Sequence, residues 1–112
     1  MTTIDSNFKI THTRNDTFDK TITINLNGSA INWAANGYLS ATCKVKASPS
    51  DTNATFNITV DITVNGALRL TAGAITSAPG SYVYDIEFVK SGGRTETWFN
   101  GCSIFELIQD IT

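Results

Sequence analysis

Apolar residues fall on alternate positions along most of this chain. From Leu39 to Lys46, the row Leu39, Ala41, Cys43 and Val45 interleaves with Ser40, Thr42, Lys44 and Lys46. Further on, Phe56, Ile58, Val60, Ile62 and Val64 interleave with Thr55, Asn57, Thr59, Asp61 and Thr63. Successive side chains of a strand point to opposite faces, so each row predicts a strand with one face on a core and one in water. Phe18, Ile22, Ile24 and Leu26 share a side with Lys20, and Tyr82, Tyr84, Ile86 and Phe88 form another row. Phe8, Ile10 and His12 share a face of a first strand near Phe8 to Thr13, and a last strand is expected near Cys102 to Ile111.

Turn chemistry separates these rows. Asn27-Gly28, Asn36-Gly37, Asn65-Gly66, Pro79-Gly80 and Ser91-Gly92-Gly93 place residues that tolerate positive φ between apolar segments. The spacing gives about seven or eight strands and predicts an all-β fold, an immunoglobulin-like antiparallel β-sandwich. No segment keeps a helical period, although one helical turn fits at Asn32 to Asn36 or between Thr71 and Ser77. Ala47 to Ala54 is the longest polar, breaker-rich stretch and reads as an exposed loop. Residues 1–7 fall outside the alternation and read as a flexible arm, leaving 8–112 as a single domain.

Length and charge narrow the function classes. At 112 residues the chain is long enough for one self-sufficient core, without a metal or disulfide scaffold. A net charge of -2 with both signs interspersed offers no extended field to a nucleic acid or an anionic membrane surface. The opening Met1-Thr-Thr-Ile-Asp-Ser lacks the basic and apolar regions of a secretory signal, and no run approaches bilayer-spanning length. Neither a nucleic acid nor a membrane is therefore expected as a partner.

Groups able to do chemistry are few. His12 is the one histidine, it stands in an alternating row, and no nucleophile motif accompanies it, so it reads as a packed or half-exposed strand residue. Cys43 and Cys102 are too few for a disulfide framework and wrongly spaced for zinc; two buried thiols or one bridge both fit. Asp85 and Glu87 share a face and read as solvated or cross-strand paired. Asn15-Asp16 and Asp51-Thr52-Asn53 are too sparse in ligands for calcium. Tripeptides of the Asn-x-Ser/Thr form at Asn15, Asn27, Asn53 and Asn57 follow from a composition rich in Asn and Thr. Neither an enzyme nor a cofactor-binding protein is expected.

What remains is contact chemistry. Trp33, Trp98 and Phe99 are candidate interface residues, and either tryptophan suits a stacking platform for sugars. Trp98 and Phe99 are strand neighbours facing opposite sides, so one must be exposed or covered by a partner. Ser50, Asp51 and Asn53 complete the candidate interface from the exposed loop.

Three segments carry a resemblance. Arg14-Asn15-Asp16-Thr17-Phe18 resembles the Arg-Gly-Asp-Thr-Phe opening of small immunoglobulin-like domains in tailed-bacteriophage virion proteins, with Asn15 in place of the glycine. Gly80-Ser81-Tyr82-Val83-Tyr84-Asp85 is similar to the Gly-x-Tyr-x-Tyr-Asp strand of those domains, and Gly101 to Ile104 with Asp110-Ile111-Thr112 resembles their ending. The family includes the N-terminal domain of phage upper-baseplate proteins. The resemblance implies a structural component of the virion, a tail, baseplate or adaptor protein in many symmetric copies, held by other virion proteins. A capsid decoration or cement protein fits a stand-alone domain as well, and a carbohydrate- or host-surface-binding module is the alternative that Trp33 and Trp98 suggest.

The face assignment has a direct test. Ile58→Asp and Val60→Asp are expected to unfold the domain while Thr59→Asp leaves it folded, because a charge facing the core goes uncompensated. Thermal melts compare the three; equal midpoints for Ile58→Asp and Thr59→Asp would refute the assignment.

Overall fold

The computed structural model describes residues 2–4 and 8–109, without the side chains of 99–102. The strands are β1 (Thr2–Ile4), β2 (Ile10–Thr13), β3 (Phe18–Thr23), β4 (Asn25–Leu26), β5 (Ser29–Ala30), β6 (Tyr38–Lys46), β7 (Phe56–Asp61), β8 (Ala67–Ala72), β9 (Gly80–Lys90) and β10 (Arg94–Ile108). No helix occurs among the described residues, and the fold is all-β. The anticipated helical turn is present at Asn32: its carbonyl accepts the Asn36 N–H at 3.1 Å and its side-chain oxygen caps the Ala35 N–H.

Eight strands form one sheet in the order β1-β2-β10-β9-β6-β7-β8-β3, and β4 and β5 form a separate ribbon. Every pairing in the large sheet is antiparallel except β2 with β10, which is parallel. The sheet is therefore mixed. It also departs from the expected pair of stacked sheets: β1 at one end touches β3 at the other, so the sheet curls almost closed into a barrel. The alternating rows require some cover for the apolar face, since no helix among the described residues supplies it, and the meeting of β1 with β3 makes that cover a curl. β9 returns beside β6 after the β6-β7-β8 meander, which is a Greek-key connection.

The core holds the inward rows. Ile10, Phe18, Ile22, Cys43, Val45, Ile58, Leu68, Leu70, Tyr82, Tyr84, Ile86, Phe88, Phe105 and Leu107 are all buried. Leu39 departs from its row at 63% exposure, and Val64 does so at 65%. A register shift between Tyr38 and Ser40 causes the first, because a bulge inserts a residue and inverts which parity faces inward. Val64 lies beyond the end of β7, where Asp61 Oδ1 accepts the Thr63 N–H at 2.8 Å and the chain turns.

Two expected boundaries change. The last strand begins at Arg94, directly after the Ser91-Gly92-Gly93 turn, because a register shift between Trp98 and Ser103 hides its early half from the alternation. Within the stretch expected to be a free arm, Thr2–Ile4 pairs antiparallel with β2, Thr2 opposite His12. The rest of that stretch, Met1 and residues 5–7, lies outside the described residues.

Gly66 joins the ribbon to the barrel. Its N–H donates to the Ile31 carbonyl at 2.8 Å, its carbonyl accepts the Ile24 N–H at 2.9 Å, and its φ is +74°. An added Cβ would stand 2.6 Å from the Ala30 Cβ. Gly66→Ala is expected to cost about 2 kcal/mol or more, combining left-handed strain with overpacking. Gly92→Ala, at φ +82° with open space around it, isolates the strain alone. Equal losses for the two in urea unfolding would show that contact with Ala30 costs nothing.

Candidate functional site

An aromatic cluster fills the end of the barrel where β6 begins and β9 ends. The Asn32 turn leads Trp33 into the core, where its Nε1–H donates to the carbonyls of Val64 at 3.1 Å and Ala67 at 3.2 Å. Its backbone N–H donates to Asn65 Oδ1 at 3.2 Å. The indole stacks on Phe88 with ring centroids 5.6 Å apart, and Tyr38 meets it edge-on at 5.4 Å. At 2% exposure Trp33 has no face free for a ligand. Its place in the candidate interface is therefore corrected: the indole N–H and ring both serve packing.

Trp98 is half-buried at the same end, 4.4 Å from Phe88 and 6.1 Å from Trp33 between centroids. It lies opposite Ile86 on the inward side of β10. The Phe99 side chain lies outside the described residues. Tyr38 closes the rim, donating its hydroxyl to Glu96 Oε2 at 2.6 Å with Lys90 Nζ 4.7 Å above its ring. Burial and the Glu96 carboxylate push the phenol up to about 12. Tyr38 is thus a neutral hydrogen-bond donor and not a base.

The loop residues stand where the sequence places them. Ser50, Asp51 and Asn53 are all exposed. The Asp51 N–H donates to the Ser48 carbonyl at 3.0 Å, and the Ser50 N–H reaches Ser48 Oγ at 3.4 Å, so a serine-centred turn shapes this end of the loop. The structure does not bring the loop and the tryptophans together: the loop follows the end of β6 at Lys46, and the cluster surrounds its start at Tyr38.

His12 is completely buried between β1 and the Asp16 turn. Its Nε2 lies 2.9 Å from the Asp16 carbonyl, an acceptor only, so Nε2 carries the proton. Nδ1 then accepts the Thr2 hydroxyl. Phe18 packs edge-on against the ring at 5.1 Å. Both nitrogens are occupied in the neutral form, and desolvation lowers the pKa below 6.5. Cys43 is a free, buried thiol that desolvation, helped by Asp85, pushes up to about 12. It carries no thiolate at neutral pH. The Cys102 side chain lies outside the described residues.

Some charges pair on the outer face, Lys9 with Glu106 at 3.0 Å among them. Lys44 lies opposite Asp85 across β6 and β9. Arg69 binds Asp19 through two nitrogens, at 3.1 and 2.8 Å, and this pairing lowers the Asp19 pKa. No group of three metal-ligating side chains occurs among the described residues. No protein-family model, curated protein or solved structure matches this chain.

Sequence reading missed an apolar pair on the outer face. The bulge turns Leu39 to solvent beside Val89, itself 38% exposed and opposite Ser40. Only the bulge decides this, and alternation carries no signal for a bulge.

His12 makes stability depend on pH. Its folded pKa lies below the unfolded 6.5, so the unfolded chain binds the proton more readily. The His12 contribution is complete above 6.5 and is lost as pH falls from there toward the folded value. Asp19 and Asp61, with pKa values lowered from 3.8, act in a separate, more acidic window. Melting midpoints are expected to fall between about pH 7 and 5 in the native chain and to stay nearly level in His12→Gln. Parallel profiles would rule the histidine out as the cause.

Proposed function

We propose that this chain is a non-catalytic structural domain of a tailed-bacteriophage particle, immunoglobulin-like in topology, acting through protein–protein contacts with other virion proteins in many symmetric copies. One observation carries the reading: two segments of the family resemblance, Arg14 to Phe18 and Gly80 to Asp85, both brace the connection between β8 and β9.

Arg14 donates from Nε to the Ser77 carbonyl at 2.9 Å and from a terminal nitrogen to the Thr76 carbonyl at 3.0 Å. The Asn15 N–H donates to the Ile75 carbonyl at 2.8 Å. Asn15 adopts φ +74°, a conformation that glycine takes freely and asparagine tolerates, so it can stand where the family has glycine. From the second segment, the Tyr82 hydroxyl donates back to the Ala78 carbonyl and Tyr84 donates to the Phe8 carbonyl. Arg14 and Tyr82 thus hold the two halves of the β8–β9 connection. A tyrosine near the start of this strand, bonded to backbone just upstream, is a hallmark of immunoglobulin-type sandwiches.

Strand order supports the same topology. β10-β9-β6 on one side and β7-β8-β3 on the other follow the Greek-key succession of immunoglobulin-like domains, with β2 joined in parallel to the last strand. The buried histidine and thiol are spent on folding, which leaves shape and surface to carry the function.

The reading is tested by producing particles from the native phage with a small tag on this chain. Quantitative mass spectrometry of purified particles is expected to find it in multiple copies, and gold labelling to place it on the tail or baseplate. Labelling over the capsid shell would instead favour a decoration protein. Absence of the chain from purified particles would sink the proposal.

A further inference from the structure

Of the four Asn-Gly pairs in the sequence, Asn100-Gly101 has side chains outside the described residues, and the structure treats the other three, all at turns, differently. We propose that Asn27 is a site of spontaneous backbone-assisted deamidation, while Asn36 and Asn65 are protected by their hydrogen bonds. The chemistry is general to asparagine before glycine, where no Cβ hinders the following nitrogen. The Gly28 backbone nitrogen gives its proton to water and attacks Asn27 Cγ. A C–N bond forms, the Cγ–Nδ2 bond breaks, and ammonia leaves with the proton returned by water. Water then opens the cyclic imide at either carbonyl, yielding aspartate or isoaspartate.

Both ends of that reaction are held at the other two pairs. The Gly37 N–H donates to the Ala34 carbonyl at 3.0 Å, and Asn36 Nδ2 donates to the Asn32 carbonyl at 2.9 Å. Nucleophile and leaving group are therefore both tied. The Gly66 N–H donates to the Ile31 carbonyl at 2.8 Å, and Asn65 Oδ1 accepts the Trp33 N–H at 3.2 Å. Neither cyclisation can begin until a backbone hydrogen bond breaks.

Nothing comparable holds Asn27-Gly28. The pair forms the two-residue turn between Leu26 and Ser29, and its residues are exposed. Among the described residues, no hydrogen bond engages the Gly28 N–H or the Asn27 side chain. Space around Gly28 is open. The surrounding ribbon is a second, independent reason: β4 and β5 pair only with each other, and all of their residues are exposed. Gly66 ties the base of the ribbon to the barrel, but the exposed tip is held by the two strands alone and opens at little cost, so the side chain can reach the geometry that cyclisation needs. Conversion adds a negative charge beside Leu26 on a chain of net charge -2, and isoaspartate inserts an extra backbone carbon at the turn.

The test is peptide mapping by mass spectrometry of the folded full-length chain, aged at neutral and mildly alkaline pH. Asn27 is expected to convert about tenfold faster than Asn36 or Asn65, the cost in rate of first breaking one hydrogen bond. In denaturing urea the three rates should draw together. Asn27→Gln should abolish conversion at that turn without altering the melt. Equal or faster conversion at Asn36 or Asn65 in the folded chain would overturn the proposal, as would an Asn27 that survives unchanged. A tenfold preference persisting in urea would overturn the structural cause.

Discussion

A sheet whose rows alternate apolar and polar has one face that must leave water, and here no helix is present among the described residues to cover it. The remaining solution is for the sheet to cover itself. Phe18 and Leu70 from β3 and β8 therefore share a core with Phe88, Phe105 and Ile10 from β9, β10 and β2. The near contact of β1 with β3, the parallel joining of β2 to β10, and the Greek-key return of β9 all serve this closure. Long-range pairing dominates the fold, so its strands gain their stability together and not one by one.

Closing a sheet requires it to bend, and the two register shifts are where it does so. One separates Tyr38 from Ser40 and the other Trp98 from Ser103. Each changes the parity of residues facing inward. Before the second shift Trp98 lies on the inner side, and after it Phe105 and Leu107 do. Both shifts flank the aromatic cluster of Trp33, Tyr38, Phe88 and Trp98, which plugs that end of the barrel.

Buried polar groups act as pins for irregular backbone. His12 ties β1 to the Asp16 turn, Trp33 ties the Asn32 turn to the Val64–Ala67 turn, and Tyr84 ties β9 to the segment before β2. Each places a hydrogen-bonding atom where loop carbonyls or hydroxyls would otherwise be buried unpaired. These residue types are the ones that invite a catalytic or ligand-binding reading from sequence. Their partners in the fold explain them without a ligand.

Alternation alone determined the inward rows of β7 and β9, the wet face of Thr and Asn, and most turns, because the period of a strand is local and repeats over many residues. It failed at Leu39, where one extra residue on β6 inverts the pattern, and over the first half of β10, where three extra residues separate the Trp98 and Ser103 pairings, and only the pairing partner reveals either. Composition fixed the scarcity of reactive groups, yet the opposite environments of Trp33 and Leu39 were set by contacts with residues distant in sequence. Whether a sheet with one apolar face stacks as two layers or curls into one is likewise undetermined by its rows. Tertiary structure decided that, since closure depends on which ends of the sheet can meet.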